Sequence, residues 1–337
     1  MADHPSDHPG RPAGHRWWNV LGRRELRAQV KASRADIGRQ FEARRAQLEA
    51  TRAQLEATNE RIEARVGRNL PKAILFGLVA GGVALACLLI IKEIFIVVAA
   101  AAIALAALEL AQAFRGAGRS VARTPAIIAA AAAIPAAYFW HTPGQLIAIA
   151  GGILLVWIWR LAESLAPSKR ATPTRLFRDL GSAALVQVYV TFLGSFTMLT
   201  LSQHDGQWWL LAFLILVIGV DTGAYASGLL FGRHPMAPTI SPNKTWEGFA
   251  GAAVVSVVAG VILSLFMLGD TWWFGVIFGL VLLITATIGD LTESLIKRDL
   301  GIKDMSSWLP GHGGILDRLD SLLPSAAATY ALLLIFH

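Results

Sequence analysis

The stretch Gly289–Asp320, GDLTESLIKRDLGIKDMSSWLPGHGGILDRLD, decides how this chain is read. It carries five Asp, one Glu, four Lys or Arg and the triplet His312-Gly313-Gly314, yet it lies between two apolar runs. Charge of that density beside membrane-like segments is costly unless it faces water or does chemistry. A helix over Thr285–Leu300 sets Asp290, Glu293, Ser294 and Lys297 on one stripe, at i, i+3, i+4 and i+7. A second helix starting near Gly314 aligns Asp317, Asp320 and Ser321 in the same way. Two carboxylate stripes joined by a basic, Gly- and Pro-broken loop suit Mg²⁺ and polyphosphate. A merely solvated connection between two membrane helices needs neither aligned acids nor His-Gly-Gly.

The whole chain is 55% hydrophobic and only 16% charged, with a mean hydropathy of +0.53. A soluble domain of 337 residues exposes far more charge. The single cysteine, Cys87, lies in an apolar run, which excludes an internal disulfide and a thiolate metal cluster. The formal net charge of +7 is concentrated at the N-terminus and in alternate loops. That pattern indicates a membrane surface rather than nucleic acid.

After Pro71 the apolar runs predict membrane spans at 72–91, 94–115, 124–140, 145–164, 182–201, 208–230, 247–268, 272–290 and 320–336. The expected fold is therefore an all-α polytopic integral membrane protein of about nine transmembrane helices. Lys and Arg fall in the N-terminus and in the loops 115–123, 165–181, 231–246 and 291–319. The alternate loops, around Lys92-Glu93, His141–Gly144, Gln203–Gln207 and Gly269-Asp270, are short and nearly free of them. The positive-inside rule thus predicts that the N-terminus and the motif-bearing loops face the cytoplasm, from a protein of the cell (inner) membrane. Trp140, Trp208, Trp209, Trp272 and Trp273 stand at span ends, as interfacial anchors do.

Four regions follow. Residues 1–20 read as a disordered tail, rich in Pro, Gly, His and Asp at its start, with no apolar signal-peptide core. Residues 21–70 read as a charged cytoplasmic helical extension. There RAQLEAT occurs at Arg45–Thr51 and again at Arg52–Thr58, with Phe41, Leu48, Leu55 and Ile62 marking one apolar position per seven. The partner position of a coiled coil holds Thr51 and Thr58, so the pattern fits a surface-lying or weakly self-associating helix better. Residues 71–181 are the N-terminal membrane helices, and residues 182–337 the C-terminal membrane region that carries the chemistry.

A second chemical stretch begins inside the sixth span: VIGVDTGAYASGLLFGRHPMAPTISPNKTWEG, Val217–Gly248. Asp221 lies in an otherwise apolar helix, and an ionisable residue at membrane depth is functional or paired by default. Ser241-Pro242-Asn243-Lys244-Thr245 reads as a turn entering a helix that carries Glu247. A turn leading into a helix N-terminus with a lysine beside it makes a phosphate cradle. The same SPxKT pattern also serves as a simple helix cap.

Ser294, Lys297-Arg298, Lys303-Asp304, Pro310, His312-Gly313-Gly314, Asp317-Arg318 and Asp320 together resemble the signature of the phosphatidate cytidylyltransferases (CDP-diacylglycerol synthases). DTGAYASG and SPNKTWEG look like two further hallmark segments of that family. The resemblance covers about residues 75–337. Two positions depart from it: Asn243 stands where a second lysine is usual before Lys244, and Leu229 where a basic residue often follows the glycine of AYxxG. Each removes a phosphate contact, while no carboxylate is missing.

The resemblance implies transfer of CMP from CTP to phosphatidic acid, giving CDP-diacylglycerol and pyrophosphate, with Mg²⁺ required. On that reading Asp290 and Asp317 hold Mg²⁺, with Asp221 and Asp320 as further ligands or neighbours. Lys244 pairs with an acid or the triphosphate, and Ser241, Asn243, Thr245 and Glu247 complete the cradle. Lys297, Arg298 and Arg318 neutralise phosphate beside Ser294, and His312, Gly313 and Gly314 present backbone N–H groups to an oxyanion. The family is also described as using a monovalent cation such as K⁺ and as forming homodimers. A CTP-dependent polyprenol or phytol kinase would share an acidic cytoplasmic site without the long signature. A transporter would show polar residues along several spans, whereas the first four offer few beyond Glu109, Gln112 and Arg160.

Overall fold

The computed structural model describes residues 70–166, 171–306 and 313–337, with side chains from Val79 onward except Ala80. The tail, the heptad-bearing extension, Lys169, Arg170, Pro310 and His312 lie outside the described residues. Residues Pro71 to His337 form one compact unit. Its elements in order are α1 (Leu70–Ile90), α2 (Lys92–Gly116), α3 (Arg123–Leu165), α4 (Pro173–Leu201) and α5 (Gly206–Phe231). A two-stranded antiparallel hairpin, β1 (Pro235–Ala237) and β2 (Ser241–Thr245), leads to α6 (Trp246–Leu268), α7 (Trp272–Asp299) and α8 (Leu316–Phe336). The protein is an all-α polytopic membrane protein apart from that hairpin.

Among the described residues, seven helices are long and apolar enough to cross a membrane, against the nine spans read from the sequence. The difference has two sources. The expected spans 124–140 and 145–164 fall in the one element α3, and 72–91 falls on the 21-residue α1, which is not among those seven. The number nine is therefore not established. Within α3 the backbone at His141 takes φ 52° and ψ −146°, outside any helical region. The chain folds back there, and its two arms meet so closely that a β-carbon on Gly152 would stand 2.9 Å from Ala129 Cβ.

Three local departures from the sequence reading matter for the site. The 165–181 loop is shorter than expected, because α4 already starts at Pro173: Thr172 Oγ1 caps it from Arg175 N–H at 3.5 Å, and proline favours the first helical position. Arg175 and Arg178 are thus helical, and the division expected at residues 181 and 182 falls inside α4. The expected span 272–290 and the expected helix over Thr285–Leu300 are one element, unbroken from Trp272 to Asp299. Its 28 residues span about 42 Å, roughly 12 Å more than the hydrocarbon core, so its last turns leave the apolar layer. Finally, Ser241–Thr245 is a strand rather than a free turn, paired through Pro235 with Thr245 and Ala237 with Ser241.

Lipid tails are as apolar as leucine, so membrane helices associate by close packing rather than by hydrophobic burial. α6 and α7 cross where a β-carbon on Gly279 would lie 2.3 Å from Ser256 O. α7 and α8 cross at Gly289, where a β-carbon would lie 2.3 Å from Asp320 O. This second crossing sets the Asp290 turn of α7 against the Asp320 turn of α8. Toward the other end of α7, Phe274 and Phe278 meet Trp209 of α5 edge to face, with Trp209 and Phe274 centroids 5.7 Å apart.

Candidate active site

α5, β2, α6, α7 and α8 enclose a cavity of about 350 Å³. Asp221 enters its wall from α5, Asn243, Lys244 and Thr245 from β2, Asp290 from α7, and Asp317, Arg318, Asp320 and Ser321 from α8. Val220, Ala224, Phe249 and Ala252 line the apolar side. Two segments far apart in the chain therefore supply one pocket, charged on one side and apolar on the other. A substrate with a polyphosphate and a lipid part suits such a lining.

Lysines bind the acids together. Lys244 Nζ lies 2.6 Å from Asp290 Oδ2. Lys297 Nζ lies 2.8 Å from Asp317 Oδ1 and also pairs with Glu293, one helical turn earlier on α7. Glu293 is 0% exposed, and its Oε1 has no hydrogen-bond partner. Asp317 Oδ2 accepts from Gly314 N–H at 2.7 Å and from Met305 N–H at 3.1 Å. Ser294 Oγ donates to Asp290 Oδ1 at 3.4 Å, and Ser321 Oγ to Asp221 Oδ1 at 3.4 Å. Ser321 N–H caps Asp320 Oδ1 at 2.8 Å. Asp221 and Asp320 carry the lighter set of contacts, whereas both oxygens of Asp317 are engaged.

The other expected residues take different places. Glu247 Oε2 accepts from Arg233 N–H at 3.1 Å and His234 N–H at 3.2 Å, and its Oε1 meets His234 Nδ1 at 2.5 Å. It closes the hairpin rather than lining the cavity. Thr245 caps α6, its Oγ1 accepting from Gly248 N–H at 3.1 Å. Arg298 Nε donates to Ile240 O at 3.1 Å, tying α7 to the hairpin that bears Lys244. Ser241 sits at the start of β2, away from the cavity wall. Gly313 has φ 79°, and a β-carbon there would lie 2.8 Å from Asp317 Oδ2. His312 lies outside the described residues. Of the two departures from the family pattern, Asn243 lines the cavity, while Leu229 is 71% exposed on α5.

Two residues that the sequence reading did not place at the site belong here. Tyr189, buried on a π-helical turn of α4, donates from its hydroxyl to Gly289 O at 3.4 Å, the residue before Asp290. Glu109 of α2, 0% exposed, accepts from Ser306 Oγ at 2.6 Å, Ile315 N–H at 3.0 Å and Leu316 N–H at 2.8 Å. The rule that singled out Asp221, an ionisable side chain in an apolar helix, points equally to Glu109.

Among the described residues no three His, Cys, Asp or Glu side chains already converge as a metal cage. Magnesium does not need one. It keeps several waters and is held by one or two carboxylates together with substrate phosphates. A cavity lined by four aspartates, with no His or Cys among the described residues of its wall, offers an all-oxygen donor set that fits a hard cation.

A model of the cytidylyltransferase family matches residues 71–336. The chain is 38% identical over 275 residues to the phosphatidate cytidylyltransferase of Mycobacterium bovis, covering 80% of this chain and 90% of that protein. It is 39% identical over 277 residues to the Mycobacterium leprae protein of the same name, with 80% and 89% covered. A shorter match, 38% over 152 residues, links it to the Helicobacter pylori phosphatidate cytidylyltransferase, over 45% of this chain and 57% of that one.

Proposed function

The chain belongs to the cytidylyltransferase family, and from that premise we propose that it is a phosphatidate cytidylyltransferase. It transfers CMP from CTP to phosphatidic acid and so makes the activated lipid of phospholipid biosynthesis. The observation that carries this reading is the cavity itself, where Lys244 and Asp221 from one hallmark region face Asp290, Asp317 and Asp320 from the other.

In the reaction a phosphate oxygen of phosphatidic acid bonds to the α-phosphorus of CTP. The bond from that phosphorus to the bridging oxygen breaks, and pyrophosphate leaves with the electron pair. A phosphate monoester is already anionic near pH 7, so the step needs no general base. Positioning and charge neutralisation dominate instead. Bound Mg²⁺ would neutralise phosphate charge and orient the triphosphate. Asp290 and Asp317 would hold it, with Asp221 and Asp320 in the same wall. Lys244 and Arg318 border the cavity and suit the triphosphate, while Lys297 keeps Asp317 and Glu293 in place. The apolar side of the cavity suits the lipid substrate. The site and the N-terminus face the cytoplasm of the cell (inner) membrane, where CTP is available; the loop charges support this orientation. A homodimer and a second, monovalent cation rest on the family resemblance alone.

The test is direct. Purified protein incubated with cytidine-labelled CTP, Mg²⁺ and phosphatidic acid should yield a labelled lipid and an equal amount of pyrophosphate. A phosphorylated lipid lacking the cytidine label would identify a CTP-dependent lipid kinase instead, and no lipid product at all would reject the reading.

A further inference from the structure

A fully buried carboxylate inside a membrane-length helix is costly unless something specific compensates it. Glu109 of α2 is such a group, with 0% exposure. Among the described residues its compensation comes from one place: the segment that ends at Asp317. Ser306 Oγ donates to Oε1 at 2.6 Å, Ile315 N–H to Oε1 at 3.0 Å, and Leu316 N–H to Oε2 at 2.8 Å. Both ends of the stretch between Ser306 and Leu316 are thus tied to one side chain on a distant helix.

The tie has a consequence for the site. Ile315 and Leu316 open α8, so Glu109 serves as its N-terminal acceptor in place of a capping side chain from the helix's own N-cap residue, Ile315. Gly314, whose N–H holds Asp317 Oδ2 at 2.7 Å, lies flush against the same carboxylate; a β-carbon on it would stand 2.6 Å from Glu109 Oε2. Met305, next to Ser306, supplies the other backbone N–H to Asp317, at 3.1 Å. Each backbone donor to Asp317 therefore neighbours a group that Glu109 holds.

We propose that Glu109 is a positioning residue, which sets the orientation of Asp317 by fixing the two backbone segments that donate to it. It touches no substrate and does not border the cavity; it acts through Gly314 and Met305. The inference rests on the proposed activity for its kinetic part and on geometry alone for the tether. Two measurements keep these apart, each on the full-length protein in detergent.

The first is kinetic. Glu109→Gln keeps the shape of the side chain but turns one acceptor into a donor facing donors. It should lower kcat by about ten- to a hundredfold and raise the Mg²⁺ concentration giving half-maximal rate, as loss of a group that orients a metal ligand does. KM for phosphatidic acid should change little. Ser306→Ala, a milder change that removes one hydroxyl, should shift both quantities in the same direction by less, and it covers the case in which Glu109→Gln does not fold.

The second measurement needs no substrate. Met305 is 7% exposed. A cysteine placed there by Met305→Cys, with Cys87→Ser removing the single native thiol, should react slowly with a water-soluble maleimide. Adding Glu109→Gln should speed that reaction about tenfold or more, because hydrogen bonds to a charged acceptor are lost. An unchanged labelling rate overturns the tether. Faster labelling with unchanged kcat and Mg²⁺ dependence overturns the positioning role. A parent protein that shows no turnover rejects the proposed activity, and the labelling rates then decide the tether by themselves.

Discussion

Asp290 and Asp317 stand on different helices, and each is held by a lysine, Lys244 at 2.6 Å and Lys297 at 2.8 Å. Asp→Asn preserves shape and hydrogen bonding while removing the charge that a hard cation requires. Asp290→Asn and Asp317→Asn should each lower kcat by about a hundredfold or more, an order typical of losing a principal electrostatic stabiliser. The double variant should be scarcely worse than either single one, because groups that act as a unit are non-additive. Asp299→Asn is the control. That carboxylate is 67% exposed and meets Arg119 at 3.2 Å on the surface, so its loss should leave turnover near the parental value. Chelation of Mg²⁺ should abolish activity and re-addition restore it. Near-parental rates from either Asp290→Asn or Asp317→Asn in saturating Mg²⁺ would move the metal to Asp221 and Asp320. Those two line the same cavity with fewer contacts of their own.

At the scale of elements, a buried ion pair joins α3 to α4, neither of which lines the cavity. Arg160, 3% exposed on the second arm of α3, donates through Nε at 2.9 Å and through its terminal nitrogen at 2.7 Å to Asp179 Oδ2 on α4. Asp179 Oδ1 in turn accepts Ser120 N–H at 2.8 Å from the α2–α3 connection. Removing one partner of a buried pair leaves an uncompensated charge, at a cost of about 3–5 kcal/mol. Arg160→Met should therefore lower the midpoint of unfolding in detergent markedly. Arg160→Met combined with Asp179→Leu should recover part of that loss, since an apolar pair of similar volume is often tolerated. A double variant as unstable as the single one would show that charge compensation is not what the pair supplies.

For the molecule as a whole, the charged cavity and the aromatic cluster lie at opposite ends of α5 and α7, with α6 between these two in the chain. If these three helices cross the membrane in alternation, Lys303 beyond α7 and Asp205 before α5 face opposite compartments. In a Cys87→Ser background, a cysteine at Lys303 should be labelled by an impermeant reagent only from the cytoplasmic side, and one at Asp205 only from outside. Labelling of both from one side would sink the orientation proposed above. Deleting residues 1–65, which carry the heptads and no site residue, should leave turnover in detergent intact while weakening attachment to anionic vesicles.

What the amino-acid order by itself determined is whatever lies within a helical turn or depends on summed hydropathy. The membrane class follows from the apolar runs, and the stripe on α7 from a fixed spacing: Lys297 pairs with Glu293 and Ser294 with Asp290, each four residues apart. The acids that line the cavity were legible as candidates because charge in an apolar setting has to be explained. Which acid meets which lysine was not legible. Lys297 of α7 reaches Asp317 of α8 where small residues such as Gly289 let those helices approach to backbone contact, and Lys244 reaches Asp290 from the hairpin. The hairpin at Ser241–Thr245, the fold-back at His141 and the tether from Glu109 to Leu316 likewise join residues whose sequence spacing carries no periodic signal. Pairings of that kind are decided by packing in three dimensions, and only the tertiary structure supplies them.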